Sequence, residues 1–205
     1  AMAAPLTSLA ETALLIVDLQ NDFIHPEGAY ARGKAASAAA QALPEKLAPL
    51  ADLIRSKGGV VAATQFTLVP GRGGEPLISP HLLQMRPFLR KGDFLPGGWG
   101  HRVVDTLQPV DITVEKIAYS AFYQTRLEWL LRKLGINHLV VGGIVTNGGV
   151  ASTVRDAHVR DIDVTVLEDG CAAPTEQMHG EAIAALKPVA RIATIAGVMV
   201  EMSAL

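Results

Sequence analysis

The chain is short of the residues that would commit it to several common roles. A single cysteine, Cys171, rules out a disulfide within the chain, and nothing asks for an oxidising compartment. Aromatic residues make up 5% of the 205 residues, the formal net charge is −2, and no Lys/Arg cluster is present, so nucleic acid is not the expected partner. No stretch approaches the roughly 18 consecutive apolar residues that a membrane span requires, so no membrane partner is expected either. The start, Ala1-Met-Ala-Ala-Pro5, has neither a charged n-region nor a continuous apolar h-region. It does not read as a signal peptide. Residues 1–10 read as an N-terminal extension, with Ala1 and Met2 as a cloning remnant, and the expected location is cytoplasmic.

What is present is apolar sequence in short blocks. Hydrophobic residues make up 49% of the chain, enough for a substantial core in one domain spanning residues 1–205. Ala13–Val17 is a continuous apolar run ending abruptly in Asp18, the form of a strand buried on both faces. Residues 34–57 carry a helical pattern that Pro44 and Pro49 should break or kink, and residues 59–64 read as a second strand. Residues 65–110, rich in proline and glycine, read as an irregular excursion too long for a plain connection and suited to carrying function.

From Asp111 the alternation is regular: strand 112–115 ending at Lys116, helix 125–134 stopped by Gly135, strand 139–141, helix 149–159, strand 162–167, helix 175–186 and strand 189–195. Strands alternating with helices predict an α/β fold with three layers, α/β/α, around a six-stranded, mostly parallel sheet of Rossmann-like type.

In such sheets ligands bind beyond the carboxyl ends of the strands. Asp18, Lys116 and the segment Gly143-Ile-Val-Thr-Asn-Gly-Gly-Val150 all lie at strand ends and can converge from distant parts of the chain. The last of these is a strand, a tight turn and a helix start, where an α/β enzyme exposes a nucleophile or cradles an anion. The glycine-rich segments do not spell a phosphate loop: Gly71-Arg-Gly-Gly74 lacks the Lys-Ser/Thr that would follow, and residues 142–148 do not fit Gly-x-Gly-x-x-Gly. The six histidines (His25, His81, His101, His138, His158 and His179) show no metal-ligand spacing, so no metal and no cofactor are expected. Arg155 and Asp156 read as supports of the turn.

Three ordered motifs carry a resemblance. Ala13-Leu-Leu-Ile-Val-Asp-Leu-Gln-Asn-Asp-Phe23, Val114-Glu-Lys-Ile-Ala-Tyr-Ser-Ala-Phe122 and Gly143–Val150, followed by Ser152–Asp156 and Glu168–Pro174, resemble the isochorismatase-like (cysteine hydrolase) superfamily across nearly the whole chain. The usual spelling of the third motif is Thr-Asn-x-Cys-Val; this chain has Gly149 at the cysteine position. The resemblance implies that Asp18 is the catalytic acid/base and Lys116 its electrostatic partner. It places the oxyanion donors at the backbone of Val145, Thr146 and Gly149, beside a cis Val145–Thr146 peptide bond. Members that carry a metal use Asp-x-His after the second strand, where this chain has Gln65-Phe-Thr67. Phe23, Trp99, His101, Tyr119 and Phe122 are candidates for the substrate pocket. Cys171 reads as packing rather than as a replacement nucleophile.

Three functions follow from that resemblance. The first is a hydrolase of a small polar substrate that works without a cysteine nucleophile, with Asp18 as acid/base. The second is a C–N amidohydrolase of carbamoyl or amide substrates whose cysteine has been replaced by glycine. The third is a non-catalytic protein that binds a small molecule. Members of the superfamily are commonly homodimers or homotetramers, and a mean hydropathy of +0.28 suits a buried interface.

Overall fold

The computed structural model describes residues 5–205, so the reading of Ala1 and Met2 lies outside the described residues. Six strands form one sheet: β1 (Thr12–Val17), β2 (Val60–Phe66), β3 (Ile112–Lys116), β4 (His138–Ile144), β5 (Asp163–Ala172) and β6 (Arg191–Ala193), in the order β3-β2-β1-β4-β5-β6. Every pairing between them is parallel. All six residues of β1 and all seven of β4 are buried, because helices cover both sheet faces at the centre. The strand order reverses between β1 and β4, which makes their carboxyl ends the expected ligand crevice.

The helices, in chain order, are α1 (Asn21–Ile24), α2 (Ala29–Arg32), α3 (Ala38–Gln41), α4 (Leu43–Ser56), α5 (Pro80–Met85), α6 (Leu127–Leu134), α7 (Ala151–His158), α8 (Glu176–Leu186) and α9 (Ile195–Ser203). One face of the sheet packs on Leu43, Leu47, Leu50 and Ile54 of α4 with Val198 and Met202 of α9. The other packs on Leu127 and Leu131 of α6, Val154 and Ala157 of α7, and Ile183 and Leu186 of α8. Among the described residues no helix is long and apolar enough to cross a membrane.

Pro44 does not break the second segment but starts α4, a position where its missing N–H costs nothing, while Pro49 is accommodated inside the helix. Gly135 ends α6 in the left-handed conformation, as its sequence position predicts. Two expectations change at the C-terminal end. Strand β5 is longer than 162–167: its register against β4 shifts between Val141 and Gly143, and pairing resumes at Cys171. Residues 189–195 are not one strand, because Thr194 accepts the amide of Gly197 and opens α9.

The excursion after β2 is largely irregular, as expected, broken by α5 and two short 3-10 turns, yet it is packed. It has a small core of its own, with Leu68, Leu89 and Phe94 buried against Ala29 and packed by Phe23, Tyr30 and Phe66. Side chains just after β1 fasten it. Gln20 exchanges hydrogen bonds with the backbone of Phe66 and donates to the carbonyl of His101, Asn21 donates to the carbonyl of Trp99, and Asp22 accepts the amides of Ala29 and Phe94. The sequence Gln20-Asn-Asp22 is therefore the clamp that seats the excursion over the end of the sheet.

Candidate active site

Asp18 leaves β1 at φ 58°, a left-handed conformation that aspartate tolerates better than most residues. Next to it, β1 and β4 approach so closely that a Cβ on Gly143 (φ 125°) would collide with the carbonyl oxygen of Val17. Glycine at 143 thus brings the end of β4 against Asp18. Lys116 ends β3 and is 2% exposed.

The two side chains meet. Lys116 Nζ lies 2.8 Å from Asp18 Oδ2, and it also donates to the carbonyls of Ala118 (3.1 Å) and Tyr119 (2.9 Å). Three partners match the three donors of an ammonium group, so its direction is fixed. The other carboxylate oxygen, Oδ1, accepts the hydroxyl of Thr64 at 2.6 Å, and that hydroxyl accepts the backbone amide of Asp18 at 3.0 Å. Thr64 is a residue that sequence reasoning missed. It is one more β-branched residue in β2, with no local signal to separate it from packing.

The third element is the turn after β4. Residues Thr146–Val150 form a single π-turn running into α7, a feature that often marks functional positions. Gly148 and Val150 donate their amides to the carbonyl of Val145. The cis peptide bond lies at Ile144–Val145, one residue before the expected Val145–Thr146 position. It falls where β4 ends, and Val145 itself is extended and opens the turn. A Cβ built on Gly149 would stand 3.1 Å from the carbonyl oxygen of Ile144, 3.3 Å from Lys116 Nζ and 3.4 Å from Asp18 Oδ2. The side-chain direction at 149 therefore aims at the Asp18–Lys116 pair, and with glycine that volume belongs to whatever enters the site.

A histidine outside the expected set holds this turn. His179 of α8 has Nε2 2.9 Å from the carbonyl of Glu168, and a carbonyl can only accept, so Nε2 carries the proton. Its Nδ1 then accepts the hydroxyl of Thr146 at 2.7 Å. Asp156 interacts with Arg160 rather than with Arg155.

The pair opens into a cavity of about 800 Å³, lined by Asp18, Phe23, Tyr30, Phe66, Lys116, Tyr119, Val145 and Gly149 together with residues of the excursion. Of the candidate pocket residues Phe23 and Tyr119 line it; Trp99, His101 and Phe122 do not. The Trp99 ring is 45% exposed and packs edge-on against His25, with ring centres 4.8 Å apart. Phe122 is buried in the core between the sheet and α6–α8, with the Arg160 guanidinium over its ring.

His101 is 2% exposed and sealed in a separate network. Thr67 gives its hydroxyl proton to the carbonyl of Gln65, so it accepts from His101 Nε2–H, while the Gln65 amide faces Nδ1. Burial lowers the His101 pKa, and the ring is held neutral. Cys171 is fully buried, and burial pushes its thiol up to about 12. It is packing, as expected, and no nucleophile at neutral pH.

Known proteins resemble this chain in sequence and in fold. The isochorismatase domain matches residues 12–197. The ureidoacrylate amidohydrolase RutB of Caulobacter vibrioides is 32% identical over 77% of this chain and 75% of its own length. RutB of Pantoea ananatis is 36% identical over 78% and 68%. Among solved structures, a cysteine hydrolase from Pseudomonas syringae pv. phaseolicola superimposes with a TM-score of 0.84 at 19% identity, covering 100% of this chain and 98% of that one. N-carbamoylsarcosine amidase from Thermoplasma acidophilum does so with a TM-score of 0.70 at 25% identity, covering 90% and 96%. With its match along residues 12–197, its parallel six-stranded sheet and its amidohydrolase relatives, the chain is a hydrolase that belongs to the isochorismatase family.

Proposed function

We propose that this chain hydrolyses a C–N bond in a small carbamoyl or amide compound and uses Asp18 as the base that activates water. The observation that carries the reading is the convergence of Asp18 Oδ2, Lys116 Nζ and the side-chain direction of Gly149 on one point of the cavity wall. Both Asp18 oxygens accept hydrogen bonds, one from the Thr64 hydroxyl and one from the Lys116 ammonium. Asp18 is thus an acceptor to both of its partners, an arrangement that supports a role as base over initial protonation of a vinyl ether.

In this reading a water molecule enters the volume that glycine leaves at 149. Its oxygen attacks the carbonyl carbon while its proton passes to Asp18. The negative charge that develops on the carbonyl oxygen falls to the backbone amides of Val145, Thr146 and Gly149. As the tetrahedral intermediate collapses, the C–N bond breaks and Asp18 returns the proton to the departing nitrogen. A ureido compound would give ammonia and a carbamate. The names of the RutB relatives make ureidoacrylate the first substrate to try.

A second reading has an observation of its own. The direction at 149 suits a side-chain nucleophile, so the chain is then the glycine form of a thiol amidohydrolase. The test is ammonia release from ureidoacrylate and other small ureido acids and amides, with and without prior thiol alkylation. Turnover that survives alkylation and is lost in Asp18→Asn supports water activation. Full turnover in Asp18→Asn sinks it.

A further inference from the structure

The cavity has two charged ends joined by aromatic rings. Lys116 Nζ lies 6.0 Å from the centre of the Phe66 ring, Phe66 lies 6.0 Å from Phe23, and Phe23 lies 4.7 Å from Tyr30. At the far end the Arg86 guanidinium carbon sits 5.6 Å from the centre of the Tyr30 ring. All five residues line the same cavity. Three rings therefore separate the Asp18–Lys116 pair from a second cation.

That second cation is not spoken for. Among the described residues Asp18 is the one acid lining the cavity, and Lys116 engages it. Arg86, half-buried after α5, takes part in no ion pair among the described residues. Its Nη1 donates to the carbonyl of Met85, and its guanidinium lies beside the Tyr30 ring. A guanidinium has five N–H donors in a planar fork that fits a carboxylate, so donors remain beyond the one given to Met85, on a residue that lines the cavity. Exposed Lys34, which also lines the cavity, adds a further positive charge and takes part in no ion pair among the described residues. Leu77, Ile78 and Leu82 complete an apolar wall, and a cavity of about 800 Å³ is large for a three-carbon acid.

The geometry points to an amphipathic anion as the substrate class: a hydrolysable carbonyl at Asp18, an apolar or aromatic body along Phe66, Phe23 and Tyr30, and a carboxylate on Arg86. This rests on the hydrolase reading for the reaction, but the recognition it describes is a matter of binding. Arg86 is then a specificity-determining residue, set on the excursion and not on the sheet that carries the reacting groups.

The test measures binding separately from turnover. Calorimetric titration compares 4-ureidobenzoate with phenylurea, which lacks only the carboxylate, against the chain, Arg86→Gln and Arg86→Lys. The expected result is tighter binding of 4-ureidobenzoate, weakened by salt, and at least a tenfold loss in Arg86→Gln beyond any loss for phenylurea, partly restored in Arg86→Lys. Circular dichroism checks that each variant is folded. Equal binding of the two compounds, no binding of 4-ureidobenzoate, or no selective loss in a folded Arg86→Gln overturns the proposal. Ammonia release is read in parallel. Selective binding without turnover of either compound would count against the hydrolytic reading while leaving the anion site standing.

Discussion

The turn after β4 and the end of β5 are neighbours on one sheet edge, Gly143 pairing with Cys171 and Ile144 with Ala172, yet they offer opposite things. The turn has direction and no reactive atom: position 149 faces Asp18 and Lys116 and holds glycine. The strand end has a reactive atom and no direction. The Cys171 thiol is fully buried, its Sγ is turned to the carbonyl of Val141 at 3.9 Å, and burial pushes its pKa up to about 12. A thiol becomes a nucleophile where charge or a helix terminus favours the thiolate, and a buried strand does not supply that. Proximity to the site is therefore not participation in it. In this chain the orientation of a group around the Asp18–Lys116 pair decides its chemistry.

The strongest way to break the contrast is at the pair. Asp18→Asn keeps the shape of the side chain and loses the base, and turnover is expected to fall by roughly 10²–10⁴, the usual range for a positioned acid or base. Steady-state ammonia release checks it. Lys116→Met leaves the Asp18 carboxylate buried without its cation. Loss of one partner of a buried pair costs about 3–5 kcal/mol, so urea unfolding should show a large drop in midpoint with an unchanged slope.

A smaller effect comes from imidazoles buried away from the cavity. Burial lowers the pKa of both His101 and His138 from the ordinary 6.5. Below 6.5 the unfolded chain takes up protons that these folded imidazoles refuse, so stability falls as pH falls through and below that value, and is unaffected above it. Thermal unfolding across that range should show the decline, and it should be shallower in His138→Gln. The smallest effect belongs to Cys171: the native protein should resist iodoacetamide at neutral pH, read by mass spectrometry. Cys171→Ala should cost about 1 kcal/mol and leave ammonia release intact.

Much of this was legible in the sequence because it is local. A buried run ending in Asp18, a strand ending in Lys116 and a glycine-rich turn before a helix are each visible within ten residues, and the parallel alternation puts their ends on one edge. What was not legible is contact across the chain. Thr64 is 46 positions from Asp18 and looks like any strand threonine; His179 is 33 positions from Thr146. Trp99 and His101 follow a glycine-rich stretch and read as pocket residues, but Asn21 and Gln20 capture their carbonyls, turning one ring outward to His25 and burying the other against Thr67. Residues 195–203 carry an apolar pattern that suits either a strand or a buried helix, and the Thr194 cap decides for the helix.

The central claim is that the volume at 149 serves a water activated by Asp18. The most direct measurement is ammonia release from ureidoacrylate by the chain and by Gly149→Cys, side by side. The account predicts turnover by the chain as it stands, with no gain from the added thiol. Ammonia release by Gly149→Cys alone would contradict it and make the site that of a thiol amidohydrolase without its nucleophile.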